Sequence, residues 1–283
     1  MRMPGGQTVV LDRRSAILAG LFASFAAATA RSDGGQSASA QQDPQHDMSL
    51  VERMPGAHGN ETIVLVAYPG FTLLDLVGPQ YMLANLLGAT VHIAAKSLDP
   101  VHSDMGPALV PTTTFADCPT EVTLVMLPGG TSGTLAAMQD AGLLAFLRDR
   151  ARHARWMASV CTGSLVLGAA GLLRGYRATS HWVARDLLAD FGAMPVNERV
   201  VFDRDRVTGA GVTAGLDFGL SMVQKLRGRE YAEAVQLLGE YDPAPPLHAG
   251  SLDEAPHETV AMLEQMLAGF VDKAKSIAAG ATR

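Results

Sequence analysis

The chain has 283 residues, 48% of them hydrophobic and 18% charged, an ordinary globular composition with enough apolar material for one sizeable core. The formal net charge is -6, with 22 Lys and Arg against 28 Asp and Glu and no basic cluster, which argues against nucleic acid as a partner because phosphate binding calls for a basic face. The two cysteines, Cys118 and Cys161, are too few for a disulfide framework.

The first 30 residues differ from the rest. Arg13 and Arg14 precede an uncharged run from Ala16 to Ala30 rich in Ala and Leu, and Ala28-Thr29-Ala30 offers small residues for cleavage. This is the pattern of a twin-arginine signal peptide over residues 1–30, and it predicts export to the periplasm, or a cytoplasmic protein if the leader is not functional. The apolar run is short of the ~20 residues that span a bilayer, so no stable span is expected after cleavage. Removing the leader would move the formal charge from -6 to about -8. Residues 31–60, rich in Ser, Gln, Gly, Asp and Pro, bury too little to offset ordering and read as a disordered linker. Residues 61–283 then form a single catalytic domain.

Ile63 to Tyr68 is a continuous apolar run ended by Pro69-Gly70, as expected of a strand buried on both faces. Helical spacing follows from Leu74 to Leu87. A strand is predicted at Val91 to Ala95, and another at Val122 to Leu127, closed by Pro128-Gly129-Gly130. A helix is expected over Leu135 to His153, then a buried strand from Trp156 to Val160 and a helix from Ser164 to Leu172. Further along, a helix is expected near Val183 to Phe191, a hairpin at Arg199 to Asp203 and Arg206 to Thr208, and a helix from Ala214 to Lys225. Tyr241 to Pro256, with Pro243, Pro245 and Pro246, should be an extended loop, and Glu258 to Ala278 a terminal helix. The β-α alternation predicts an α/β fold with a doubly wound, mostly parallel sheet and helices on both faces.

The most informative string is Ala158-Ser159-Val160-Cys161-Thr162-Gly163-Ser164-Leu165, a strand that runs through a small-residue turn into a helix. A sharp turn of this kind projects its central side chain above the sheet. Backbone N–H groups at the helix start would favour thiolate over thiol. A small buried core residue is the competing reading of Cys161. Its placement favours reactivity, because ligands of open α/β sheets bind beyond the carboxyl ends of the strands. Pro128-Gly129-Gly130-Thr131 would lie at the same edge, where the Gly129 and Gly130 amides can approach a ligand and stabilise developing negative charge. A plain tight turn explains the same residues.

Asp75 is a lone acid in Phe71-Thr72-Leu73-Leu74-Asp75-Leu76-Val77-Gly78-Pro79. Two readings stand for it, a helix cap or an acid whose pKa is raised by apolar packing beside the thiol. His181 can be drawn as a base for the cysteine, but capping or packing the following helix accounts for it equally simply. Gly209 to Gly215 lacks the Gly-Lys-Ser/Thr ending of a P-loop and reads as a turn packed near the pocket. Cys118 precedes a strand and should lie at the opposite end of the sheet from Cys161.

Together, the strand-Pro-Gly-Phe opening, Leu-Asp-Leu-Val-Gly-Pro, Leu-Pro-Gly-Gly and Ser-Val-Cys-Thr-Gly-Ser resemble the ThiJ/PfpI superfamily, and within it the isonitrile hydratase group. Arg177-Ala178-Thr179-Ser180-His181-Trp182 and Glu198-Arg199-Val200-Val201 extend the resemblance, which covers about residues 61 to 257. It implies a flavodoxin-like fold, a homodimer, no metal or organic cofactor, and addition of water to an isonitrile to give an N-substituted formamide. It also implies Cys161 as nucleophile, Asp75 as general acid and base, and Thr162 as a third catalytic residue whose hydroxyl contacts substrate or water and whose N–H joins that of Gly130. Relatives with other activities carry His after the cysteine and Glu at the acid, unlike Thr162 and Asp75. The alternatives are a ligand- or redox-sensing domain, like the sensing halves of AraC-type regulators, or another cysteine hydrolase or amidase of the superfamily.

Overall fold

The computed structural model describes residues 53, 54 and 56–281. The expected signal peptide and most of the expected linker lie outside the described residues. From Met54 onward the chain forms one unit. Its packed part begins before the expected boundary at 61, because Ala57 is buried and the Gly59 N–H donates to Leu87 O.

The sheet contains β1 (Thr62–Val66), β2 (Thr90–Ala95), β5 (Thr113–Thr114), β6 (Val122–Leu127), β7 (Ala154–Val160), β10 (Val200–Asp203) and β11 (Arg206–Gly209). Two short pairs, β3 (Val101–His102) with β4 (Ala108–Leu109) and β8 (Arg177–Ala178) with β9 (Met194–Pro195), stand apart from it. Strand order is β10-β11-β7-β6-β1-β2-β5, parallel throughout except for β10, which pairs antiparallel with β11 as the predicted hairpin. The central strands β1, β6 and β7 are apolar along almost their whole length because both faces are covered. This is the expected flavodoxin-like architecture.

The helices are α1 (Leu73–Leu83), α2 (Ser132–Ala137), α3 (Ala141–Arg150), α4 (Gly163–Ala169), α5 (Ala214–Arg227), α6 (Arg229–Leu238) and α7 (His257–Ala281), with a 3₁₀ helix at Asp186–Phe191. The helix expected over Leu135 to His153 is two helices, because Asp140 caps α3 by accepting from the Leu143 N–H. The segment expected to be helical near Val183 is a 3₁₀ helix that Gly192 ends at φ 76°. Glycine also lets α1 and α5 close on each other, since a Cβ at Gly219 would lie 2.9 Å from Met82 Cβ. Among the described residues no helix is long and apolar enough to cross a membrane.

The topology places the site. From β1 the chain moves to β2 on one side, then crosses to β6 on the other, so β1 and β6 flank a switch point where connections leave in opposite directions. Phe71, just past β1, bridges to Gly130, just past β6, and Cys161 follows the neighbouring strand β7.

Candidate active site

Cys161 occupies the turn between β7 and α4 at φ +59°, a left-handed conformation that costs a residue with a Cβ about 1–2 kcal/mol. Four hydrogen bonds hold it there. Its N–H is shared between Gly209 O at 3.1 Å and Ala210 O at 2.9 Å, and its carbonyl accepts from Ser180 Oγ at 3.0 Å and Ser164 Oγ at 3.2 Å. The strain is therefore supported from both sides of the peptide, which fixes the side chain above the sheet edge.

The sulfur is buried and receives the backbone N–H groups of Val212 and Thr162. Backbone N–H groups at the helix start are expected to favour thiolate. Burial dominates instead and pushes the thiol up, with the charge of Asp75 adding to it and the two amides only partly opposing it. Burial thus favours the protonated thiol over the thiolate.

Asp75 faces that thiol. It is the third residue of α1 and fully buried, and its carboxylate does not cap the helix but crosses the switch point, where Oδ2 accepts from the Gly129 N–H at 2.9 Å. The helix-cap reading is thereby replaced. Oδ1 has no hydrogen-bond partner, and the carboxyl interacts with the Cys161 side chain. Burial pushes the Asp75 carboxyl up to about 7, against the opposing hydrogen bonds from Gly129 and Cys161, with a smaller upward contribution from the charge of Asp104. Asp104 is held at the mouth by the Thr72 hydroxyl, which donates to it at 2.6 Å. A buried carboxyl that titrates near neutrality, with one oxygen free beside a thiol, is equipped to take a proton from the sulfur and pass it on.

The glycine amides serve differently from the expectation. The Gly129 N–H is held by Asp75, and the Gly130 N–H donates to Thr162 Oγ1 at 3.0 Å, so neither is free to meet a developing oxyanion. They position the two side chains instead. The Thr162 hydroxyl in turn donates to Gly130 O at 2.6 Å and lies 2.9 Å from Thr134 Oγ1. With these partners it is saturated, and of Thr162 the backbone N–H reaches the Cys161 sulfur. The turn needs glycine here, since a Cβ at Gly129 would come 2.5 Å from Thr162 N. Behind this shell, Tyr68 donates to Pro128 O at 2.7 Å and its oxygen lies 3.3 Å from Thr134 Oγ1.

His181 packs on the Gly211 loop that leads to Val212. Its Nδ1 accepts from the Val183 N–H at 3.4 Å, and its ring packs on Gly211, where a Cβ would lie 2.7 Å from Cδ2. Burial lowers its pKa. It buttresses the loop that carries the Val212 amide. Cys118 and Cys161 are both free thiols, at opposite ends of the parallel strands. Among the described residues no group of His, Cys, Asp or Glu is arranged to hold a metal ion.

The sequence reading did not find the Val212 amide, the two serines under the Cys161 carbonyl, or Tyr68 and Thr134. Its one relevant signal was the Gly209 to Gly215 turn, expected near the pocket.

Residues 61–225 match the family model described as the DJ-1/PfpI family. The chain belongs to the DJ-1/PfpI family. Among its relatives in this family is an isonitrile hydratase of Pseudomonas putida, 50% identical over 70% of this chain and 86% of that protein. A ThiJ/PfpI family protein from Pseudomonas syringae has a crystal structure that superposes with a TM-score of 0.81 at 54% identity, covering 85% of this chain and 99% of that one. The HTH-type transcriptional regulator GbdR of Pseudomonas aeruginosa is 28% identical over 66% of this chain and 53% of its own length.

Proposed function

We propose that this DJ-1/PfpI protein is an isonitrile hydratase, a hydro-lyase that adds water to an isonitrile to give an N-substituted formamide, with Cys161 as nucleophile and Asp75 as general acid and base. The observation that carries the reading is the buried carboxyl of Asp75, which keeps one oxygen unpartnered and interacts with the Cys161 thiol, in a chain 50% identical to an isonitrile hydratase over 70% of its length. An isonitrile's terminal carbon is basic, and it becomes open to attack once protonated. Asp75 accepts the thiol proton and delivers it to that carbon while Cys161 Sγ forms the C–S bond, which gives a thioimidate, R–N=CH–S–Cys161. A water molecule, deprotonated by the returned carboxylate, adds to the same carbon. Asp75 passes the water proton to the imine nitrogen, the C–S bond breaks as the hydroxyl proton of the adduct is returned to the sulfur through Asp75, and the formamide R–NH–CHO leaves. The backbone N–H groups of Val212 and Thr162 steady the sulfur while it carries charge.

This scheme fixes a pH dependence. The dyad works with one proton, held by the thiol while Asp75 is a carboxylate; protonating Asp75 leaves no base for the sulfur. The rate constant kcat/KM for a neutral isonitrile should therefore rise with pH through about 7 and stay level above it, because the Cys161 thiol is pushed far higher. Formamide production followed from pH 5.5 to 8.5 checks this, and a profile that falls over that range contradicts it.

The same reading includes a homodimer and export. Exposed apolar side chains at Leu237, Leu238, Met262 and Met266 support contact with a second copy, which light scattering would detect. N-terminal sequencing of protein recovered from cell fractions tests cleavage after the twin-arginine leader.

A further inference from the structure

A cavity of about 430 Å³ opens at the carboxyl ends of β1 and β2, under α2 and α3, and Cys161 does not line it. Its walls are built from small side chains, Ala67, Ala95, Ala136 and Ala137, with Phe115 and Leu143 closing the apolar surface. It lies at the ligand-binding edge of a doubly wound sheet, where the ends of β1 and β2 meet α2 and α3. Its size falls within the range of small-molecule pockets.

The mouth selects charge. Lys96, at the end of β2, pairs with Asp140, the cap of α3, and Asp99 and His102 stand beside them. The Lys96 side chain is 61% exposed, so the pair is a surface one that can open without leaving a buried charge. Two carboxylates against one ammonium disfavour an anionic ligand. The apolar walls disfavour a strongly polar one.

Tyr68 connects this cavity to the active site. Tyr68 lines the cavity, and its hydroxyl donates to Pro128 O, immediately before Gly129, and touches Thr134, the neighbour of Thr162. A ligand that displaces Tyr68 would bear on the two groups that its hydroxyl contacts, which hold Thr162 and the Gly129 turn in place.

We propose that this cavity is a second small-molecule site, for a neutral, compact, largely apolar compound of about 10–15 non-hydrogen atoms with one hydrogen-bonding end, and that its occupancy changes the reactivity of Cys161 through Tyr68. The proposal concerns the thiol itself and does not depend on the isonitrile reaction.

2-Naphthol, neutral at pH 7 and fluorescent, is a suitable probe. It should bind the full-length protein saturably with a dissociation constant below about 1 mM, and equally well after Cys161 has been carbamidomethylated. Ala137→Phe, which fills the cavity, should weaken binding at least tenfold, and the milder Ala136→Leu should weaken it severalfold; thermal unfolding confirms that each variant is folded. Saturating 2-naphthol should change the rate at which iodoacetamide labels Cys161, read by peptide mass spectrometry, at least twofold in the parent protein. In Tyr68→Phe, which keeps the ring and loses the hydroxyl, binding should persist and the rate change should disappear. The proposal is overturned by absence of saturable binding, by binding that blocked Cys161 abolishes, by undiminished binding to folded Ala137→Phe, or by a labelling rate indifferent to the ligand.

Discussion

Asp75→Asn should lose formamide production by at least about 10²-fold and at the same time make the protein more stable above neutral pH. Both effects follow from one buried carboxyl. Asparagine fills the same volume and can still accept from the Gly129 N–H, but it cannot take the thiol proton. The stability change follows from the upward shift of the carboxyl from 3.8 to about 7. Below pH 3.8 the group is protonated in folded and unfolded chains alike and makes no difference. Between 3.8 and about 7 the unfolded chain ionises while the folded one stays protonated, so stability falls as pH rises. Above about 7 the penalty is complete, on the order of 2–4 kcal/mol. Denaturant midpoints should therefore place Asp75→Asn well above the parent at pH 8, with the gap closing toward pH 4. A variant less stable than the parent at pH 8 would show that the carboxylate is held by favourable contacts rather than confined by burial.

The second large effect is expected far from the thiol. Arg227, at the end of α5, is buried with all five guanidinium donors used: Nε and Nη2 grip the Glu61 carboxylate, Nη1 donates to Gly56 O and Ala57 O, and Nη2 also reaches Leu87 O. One side chain thus ties the segment entering β1 to the chain leaving α1. Arg227→Met should cost about 3–5 kcal/mol, because Glu61 would keep its charge in a site where its side chain is only 12% exposed. Arg227→Met combined with Glu61→Gln should recover part of that loss, since no unpaired charge remains. Urea unfolding of the two variants measures both numbers. A loss under about 1 kcal/mol for Arg227→Met would mean that water replaces the guanidinium.

The parts of this site that were legible in the sequence are those in which side-chain chemistry is written in the residue type. Cys161 sits between an apolar strand and a small-residue helix start, and Asp75 is an acid among leucines; both stand out against their surroundings. The central strands were legible because burial on two faces makes Ile63 to Val66 and Val122 to Leu127 continuously apolar. Backbone chemistry leaves no such mark. The Val212 amide that reaches the sulfur could belong to almost any residue, and the Gly129 and Gly130 amides were assigned to an oxyanion when Asp75 and Thr162 had already taken them. The direction of the thiol's shift was missed for a related reason. Proximity to a helix start can be read from order along the chain, whereas burial beside a carboxylate from a distant helix cannot. Leu135 to His153 was read as one helix because its apolar spacing continues across Asp140, and only the cap contact to Leu143 shows the break.

The most direct test of the Cys161–Asp75 pair is proton NMR of cyclohexyl isocyanide incubated with the purified protein at pH 8. The account predicts a formamide proton signal that grows with wild-type enzyme and is absent with Cys161→Ala. It is contradicted if Cys161→Ala makes the formamide at the wild-type rate, or if wild-type protein with an intact, alkylatable Cys161 leaves this and other alkyl isonitriles unchanged.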